Sequence, residues 1–321
     1  MKEKLKIVIL DANCANPGDL SWEEFEELGE VTVYPHTEDG QVVERAKDAD
    51  IIIDNKVNIT AQTIKALPKL KYIGLLSTGY NVVDIACAKK AGIPVCNVPA
   101  YSTMSVAQHA VMLMTALAAK LPEHAQAVEA GEWGDCKNFC LFKGEVTELW
   151  GKTLGIIGYG SIGRAVAKIA LAMGMNVTAC RRHTCAEDKG VKLIVDRDEL
   201  IAQADVITLH CDLNAGNANM VDGDFLSKVK KGAILINTAR GGLVDEKAVA
   251  KALEDGVLSG YGADVLAEEP PTHGSPLIGA KNCIITPHVA WASREARARL
   301  LKAAKKNIDA FLAGDPTNIV Y

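Results

Sequence analysis

At 321 residues the chain is long enough for two domains of ordinary size, each with its own apolar core. Apolar residues make up 49%, charged residues 23% and the formal net charge is -5, so there is no basic surface to attract nucleic acid or an anionic membrane, and a small-molecule partner is expected. Near the N-terminus only Ile7 to Leu10 form an unbroken apolar run, too short for a signal-peptide core or a membrane span, and a soluble cytoplasmic protein is expected. The nine cysteines are odd in number, scattered and without a Cys-x-x-Cys pair, which speaks against a disulfide framework and a zinc site.

In chain order, apolar runs at Ile7 to Leu10, Val31 to Tyr34, Ile51 to Ile53 and Tyr72 to Leu76 alternate with helical patterns. Such a βα repeat predicts a parallel sheet covered by helices. The first helix carries a capping-box signature, Ser21 with Glu24, and the next ones are expected to begin near Gln41, Thr60 and Asp84. A long helix over Ser102 to Leu121 is expected to end at Pro122. Residues 123 to 150, with Gly131, Trp133, Gly134, Phe139 and Trp150, show little periodicity and read as a long connection that either folds over the surface or reaches a neighbouring subunit, the latter being expected. Further strands are expected at Thr153 to Ile157, Asn176 to Ala179, Val206 to Leu209, Ile234 to Asn237, Gly260 to Ala263 and Cys283 to Thr286, with a closing helix over Ser293 to Ala313.

Gly158-Tyr159-Gly160-Ser161-Ile162-Gly163 lies between the Thr153 to Ile157 run and a helical pattern over Ile162 to Met173. Strand, glycine turn, helix and second strand together have the length of a dinucleotide-binding βαβ unit. Each glycine has its own task there. Gly158 permits the tight turn, Gly160 lets backbone amides near a pyrophosphate, and Gly163 lets helix pack on strand, so that Ser161 and Ile162 open a helix whose N-terminus faces negative charge.

Three polar features follow directly on apolar runs: Ala239-Arg240-Gly241-Gly242, Asp264 to Glu269, and Pro287-His288. All three should lie at the carboxyl ends of their strands, the edge where an open parallel sheet binds its ligand. Singly, Arg240 reads equally as a surface ion pair, Glu269 as a solvated acid and His288 as a core histidine; on one edge beside a dinucleotide loop they read as a site. Hydride transfer to a 2-keto acid needs a cation for the carboxylate, a proton donor for the developing alkoxide, and an acid that holds the donor protonated and oriented. Arginine, histidine and glutamate are suited to those tasks.

At these residues the sequence resembles the D-isomer-specific 2-hydroxyacid dehydrogenase family. The likeness runs through Gly158-x-Gly160-x-x-Gly163, Asn237-Thr-Ala-Arg240-Gly, Val244-Asp245, Asp264-Val-Leu-Ala-Glu-Glu269-Pro270 and Thr286-Pro287-His288-Val-Ala. It implies two doubly wound α/β domains. A flavodoxin-like substrate domain would comprise residues 1–99 with 289–321, and a Rossmann dinucleotide-binding domain residues 100–288. It further implies that Arg240 binds substrate, Glu269 partners the histidine and His288 is the acid/base; His210, Thr238 and Asp264 join the glycine loop as cofactor residues, and the protein is a homodimer. Within the family, Asn55-Lys56-Val57, Asn97-Val-Pro-Ala-Tyr101-Ser-Thr-Met-Ser105-Val-Ala-Gln108-His109 and the Phe139-Cys140 arm look most like glycerate dehydrogenases, also called hydroxypyruvate reductases. Ser77-Thr78-Gly79 resembles the loop whose amides receive the substrate carboxylate, so Thr78, Gly79 and Lys56 are substrate candidates, Lys56 reading equally as a solvated lysine. Asp212 and Asn214 stand where a proline and a threonine are usual.

The second strand of the dinucleotide unit runs into Cys180-Arg181-Arg182-His183. Resembling NAD enzymes carry an acid at Arg181 for the ribose 2′-hydroxyl. Two guanidinium groups instead suit a 2′-phosphate, so NADP is the expected preference with NAD possible; the alternative is a solvated basic turn. Phosphoglycerate dehydrogenases and dinucleotide-sensing corepressors resemble the same family and are the alternatives; many of the former carry a regulatory domain and the latter a peptide-recognition extension, neither of which is expected here. No metal is expected.

Overall fold

A computed structural model describes residues 4–181 and 188–321. It divides into two compact units, the first made of the chain up to Ser102 together with Ala292–Tyr321, the second of Thr103–Trp291.

In the first unit, strands β1 (Leu5–Ile9), β2 (Gly29–Val33), β3 (Ile51–Asp54), β4 (Tyr72–Leu75) and β5 (Val95–Cys96) form a parallel sheet in the order β2-β1-β3-β4-β5. That is the order of flavodoxin-like sheets. Strands β3 and β4 are buried along their whole length, as expected of strands covered on both faces. The intervening helices are α1 (Ala12–Ala15), α2 (Glu23–Glu26), α3 (Val42–Ala46), α4 (Ala61–Ala66) and α5 (Ile85–Lys90). The expected starts at Thr60 and Asp84 are N-caps whose side chains accept from the amides of Thr63 and Cys87, and Gln41 directly precedes α3. The capping box at Ser21 does not form. Helix α1 precedes it, and Ser21 Oγ instead accepts from the Glu23 N–H at 3.0 Å ahead of α2, whose N-cap position is Trp22.

The second unit opens with α6 (Thr103–Ala118) and α7 (Leu121–Glu129). The expected single helix to Leu121 is corrected here: it breaks at Lys120, which turns left-handed at φ 52°, and Pro122 lies in the first turn of α7. Proline costs nothing there, because first-turn N–H groups have no partner within the helix. The break bends the pair by 64°, and among the described residues no single helix is long and apolar enough to cross a membrane. After α7 no helix or strand forms before residue 153, and Phe139 is 91% exposed.

Then follow β6 (Thr153–Ile157), α8 (Ser161–Ala172), β7 (Asn176–Cys180), β8 (Val191–Leu193), α9 (Arg197–Gln203), β9 (Val206–Leu209), α10 (Gly223–Lys228), β10 (Ala233–Asn237), α11 (Glu246–Glu254), β11 (Leu258–Ala263) and β12 (Cys283–Ile285). Their parallel sheet has the order β12-β11-β10-β9-β6-β7-β8. Counted from β6, this is the Rossmann order 3-2-1-4-5-6 with one more strand. The chain returns to the first unit as α12 (Arg294–Leu312), capped by Ser293. There Arg297 forks onto both carboxylate oxygens of Asp19, at 2.6 and 2.7 Å.

Register aligns the strand ends of the second unit. Ile157 is opposite Leu209, Leu209 opposite Asn237, Asn237 opposite Ala263, and Ala263 opposite Ile285. The next residue of each strand therefore stands in one row at the carboxyl edge: Gly158, His210, Thr238, Asp264 and Thr286.

Candidate active site

The glycine loop is built as its spacing predicts. Gly158 has φ +100°, and a Cβ there would lie 2.5 Å from the carbonyl of His210. Only glycine fits. A Cβ on Gly163 would lie 2.4 Å from the Gly158 carbonyl oxygen and 3.1 Å from Ile156, so this residue sets the seat of α8 on β6. Gly160 differs from both, since a Cβ on it would meet nothing within 4 Å. Among the described residues no side chain caps α8, whose first residues are Ser161 and Ile162. Space for a phosphate therefore lies over a helix N-terminus that favours an anion.

Two neighbours in the row carry buried polar atoms without a hydrogen-bond partner among the described residues, Nδ1 of His210 and Oγ1 of Thr238. His210 binds Thr208 through Nε2 at 2.9 Å, and desolvation of its ring pushes its pKa down to about 4, leaving it neutral at pH 7. Open space, an uncapped helix and two orphaned polar groups on one edge fit a bound dinucleotide.

Asp264 is used differently. Its carboxylate is buried and accepts from Thr286 Oγ1 at 2.6 Å and from the amides of Val289 at 2.9 Å and Ala290 at 2.7 Å. It thus grips the chain on both sides of His288. The Thr286 hydroxyl gives its proton to Asp264, so it accepts from His109 Nε2 at 2.8 Å, which assigns the His109 tautomer. Ser105 Oγ donates to the Ala290 carbonyl at 2.6 Å. Held this way, His288 adopts φ 55°, in the left-handed region.

His288 Nδ1 meets Glu269 Oε2 at 2.7 Å, and Glu269 Oε1 accepts from the Leu266 amide at 2.8 Å. Both side chains are about one-third exposed, His288 at 30% and Glu269 at 34%. With Nδ1 engaged, Nε2 is the ring nitrogen left to face a reactant.

Arg240 is exposed and follows β10. The Asn237 side chain ties its turn from both sides, accepting from the Ala239 amide and donating to the Arg240 carbonyl, each at 3.0 Å. A Cβ on Gly241 would lie 1.9 Å from the Leu266 carbonyl, so the Arg240 and Glu269 loops touch backbone to backbone. Glu246 fastens the same loop, accepting from the Ala267 amide at 2.8 Å and from Ser275 Oγ at 2.7 Å. Asp245, in the quoted motif, caps α11.

In the first unit, Lys56 is exposed beyond β3 and Ser77-Thr78-Gly79 follows β4, again at the carboxyl edge. Thr78 Oγ1 donates to the Val98 carbonyl at 3.0 Å, and the Thr78 carbonyl accepts from Asn97 Nδ2 at 2.7 Å. Arg181 follows β7 and is half-buried; Arg182 lies outside the described residues. Sequence reasoning passed over Tyr159 and Arg164, which both bind Asp188, Tyr159 through its hydroxyl at 2.7 Å. The Tyr159 hydroxyl and the guanidinium hold the Asp188 carboxyl below its usual range. Glu246, Ser105 and His109 are further supporting residues whose roles depend on partners far along the chain.

The family model for the D-isomer specific 2-hydroxyacid dehydrogenase NAD binding domain matches residues 111–290. The chain belongs to the D-isomer specific 2-hydroxyacid dehydrogenase family. It is 42% identical over 321 residues to a hydroxypyruvate reductase of Blautia hydrogenotrophica, covering 98% of this chain and 99% of that one. With a glycerate dehydrogenase of Methylorubrum extorquens it shares 44% identity over 318 residues, 98% of each chain. Among solved structures it resembles an acyclic imino acid reductase in complex with NADPH and D-Arg, with TM-score 0.86, 31% identity, and coverage of 99% of this chain and 100% of that one. As a member of this family the protein takes a nicotinamide dinucleotide cofactor, and the edge that carries the glycine loop also carries Arg240, Glu269 and His288.

Proposed function

We propose that the chain reduces a small 2-keto acid, hydroxypyruvate or glyoxylate, to D-glycerate or glycolate. The relatives named hydroxypyruvate reductase and glycerate dehydrogenase, each matched over nearly the whole chain, favour these substrates. The observation that carries the reading is the His288–Glu269 pair at 2.7 Å on the dinucleotide-loop edge. When bound, the reduced nicotinamide ring supplies hydride to the carbonyl carbon. His288 gives the proton through Nε2 to the developing alkoxide, while Glu269, bonded to Nδ1, fixes the orientation of the ring. The exposed Arg240 guanidinium takes the substrate carboxylate in a two-pronged contact, and Lys56 with the Thr78-Gly79 backbone adds to binding. In this reading the second unit holds the dinucleotide through Gly158, Gly160, Ser161, Ile162, Gly163, His210 and Thr238.

NADPH is the proposed preference. Arg181 follows β7 where an NAD-specific site places an acid, and one solved relative binds NADPH. Two copies are proposed to associate through α6 and the 131–150 arm, whose Phe139 and Phe142 side chains are exposed. Initial rates with hydroxypyruvate, glyoxylate, pyruvate and 3-phosphohydroxypyruvate, each with NADH and NADPH, test the assignment. Hydroxypyruvate or glyoxylate with NADPH should give the highest kcat/KM. Highest turnover of 3-phosphohydroxypyruvate would make the chain a phosphoglycerate dehydrogenase, and binding of dinucleotide without turnover of any would leave it a sensor.

A further inference from the structure

The carboxyl edge of the first sheet holds two aspartates that the proposed chemistry does not use. Asp11 follows β1 and Asp54 ends the adjacent β3; they are 2% and 0% exposed, and among the described residues neither has an ion-pair partner. Asp11 Oδ1 accepts from the Asn55 amide at 2.9 Å and Oδ2 from the Lys56 amide at 2.7 Å. Asp54 Oδ1 accepts from the Val57 amide at 3.2 Å. Three successive N–H groups of the Asn55-Lys56-Val57 loop thus end on two buried carboxyls. The remaining oxygen, Asp54 Oδ2, is buried and meets no N–H or hydroxyl donor among the described residues.

The two side chains are within hydrogen-bonding reach of each other. Two buried charges side by side and without a cation repel too strongly for both to ionise. Of the two acids, Asp54 is the one with a buried oxygen that meets no donor, so it is the one that keeps the proton. We infer that Asp54 carries a proton which it donates to an ionised Asp11, and that this pair is a positioning device that fixes the backbone under Lys56. Burial and the neighbouring Asp11 both push the Asp54 carboxyl upward, in agreement with that assignment. The other titratable groups nearby are the Cys14 thiol, which bonds Asp11, and the exposed Lys56 ammonium. Neither replaces the missing donor to Asp54 Oδ2. On the opposite side the loop is tied by Asn55 Nδ2, which donates to the Leu76 carbonyl at 2.7 Å.

The inference predicts a buried protonated carboxyl at neutral pH, and infrared difference spectroscopy of the full chain can see one. Wild type at pH 7 should show a protonated-carboxyl C=O band that Asp54→Asn removes. Loss of the proton donor should also be felt by the substrate loop. Asp54→Ala should raise the KM for glyoxylate about five- to tenfold with kcat held within about threefold, and Asp54→Asn, whose amide N–H can replace the acid proton, should recover most of that loss. The kinetic arm rests on the keto-acid reading of Lys56, whereas the infrared arm does not, so the two can fail separately. Absence of the band in wild type, or its survival in Asp54→Asn, overturns the pair. A KM in Asp54→Asn as high as in Asp54→Ala overturns its positioning role. Should Asp54→Ala fail to fold, the infrared comparison of wild type with Asp54→Asn decides alone.

Discussion

The two sheets end in the same device and use it on different loops. In the second unit Asp264, buried just past β11, accepts from the amides of Val289 and Ala290 and so grips the turn that carries His288. In the first, Asp11, buried just past β1, accepts from Asn55 and Lys56. A carboxylate serves this purpose well, since two oxygens can take several N–H bonds and each charge-assisted bond outweighs a neutral one. The difference lies in what surrounds each acid. Asp264 is met by a hydroxyl and two amides, with His109 beyond, whereas Asp11 stands beside a second carboxyl. One edge holds His288 in a left-handed turn, the other holds the Asn55-Lys56-Val57 loop.

The largest effect should come from the gripped residue itself. His288→Ala should lower the turnover of keto-acid reduction by about two to four orders of magnitude, the usual worth of a general acid, while dinucleotide binding persists. Single-turnover kinetics with a parallel binding titration check this. Near-normal turnover would show that the second unit's edge is not the source of the proton.

Each edge also buries a neutral titratable group, and the two should pull stability in opposite directions with pH. His210 has its pKa lowered to about 4 from 6.5. Between those values the unfolded chain binds more protons than the folded one, so its contribution is present above pH 6.5 and is lost as pH falls toward 4, by at most about 3 kcal/mol. Asp54 has its carboxyl raised, so its contribution is fullest at low pH and is lost as pH rises. Melting temperatures across pH 4 to 9 should therefore show a shallower acid limb in His210→Asn, whereas Asp54→Asn should remove a stabilisation that is present near pH 4 and fades as pH rises. Parallel shifts without a change of slope would remove the contrast.

The grip of Asp264 can be loosened without emptying the site. Asp264→Asn keeps the volume but offers one acceptor oxygen instead of two, so the turn around His288 should shift. A reacting group displaced by a fraction of an ångström costs about ten- to hundredfold in kcat, with a smaller change in KM. The matching change at the other edge, Asp11→Asn, should act mainly on KM. Identical kinetic signatures would mean that the two devices do the same job. Arg240→Lys sharpens the point from the binding side: charge is kept but the fork is lost, and the apparent affinity for the keto acid should fall about tenfold while that for dinucleotide is retained.

How much of this could be read from sequence follows from the range of the interactions involved. Gly158, Gly160 and Gly163 are legible because strand, turn and helix are contiguous, and the candidates Arg240, Glu269 and His288 stand out because each follows an apolar run. Strands β5 and β8, of two and three residues, are too short to show a period, and α1 and α2 are single turns. Lys120 adopts a left-handed conformation that nothing in its residue type announces, so the helix break was placed at the neighbouring proline. The supports were harder still to see. Asp11 and Asn55 lie 44 residues apart, and His109 and Thr286 lie 177 apart. Strand register and the packing of α6 on the sheet bring such residues together, and no local pattern encodes either.

The smallest expected effect concerns the choice of dinucleotide, and it tests a third loop on the larger sheet's edge. Beyond β7 the chain places Arg181 where an acid would repel a 2′-phosphate and accept from a 2′-hydroxyl. Asp188, the first described acid further along, already binds Tyr159 and Arg164. A guanidinium gains a charge-assisted contact with a 2′-phosphate and loses nothing with NADH, so kcat/KM should favour NADPH in the wild type. Arg181→Ala should reduce kcat/KM for NADPH by about three- to tenfold and leave that for NADH nearly unchanged, the worth of one exposed contact to a charged group. Removing only one of two adjacent arginines keeps the effect modest. A clear preference for NADH in the wild type, unaltered in Arg181→Ala, would show that this basic turn is merely solvated, with the family membership and the His288–Glu269 pair untouched.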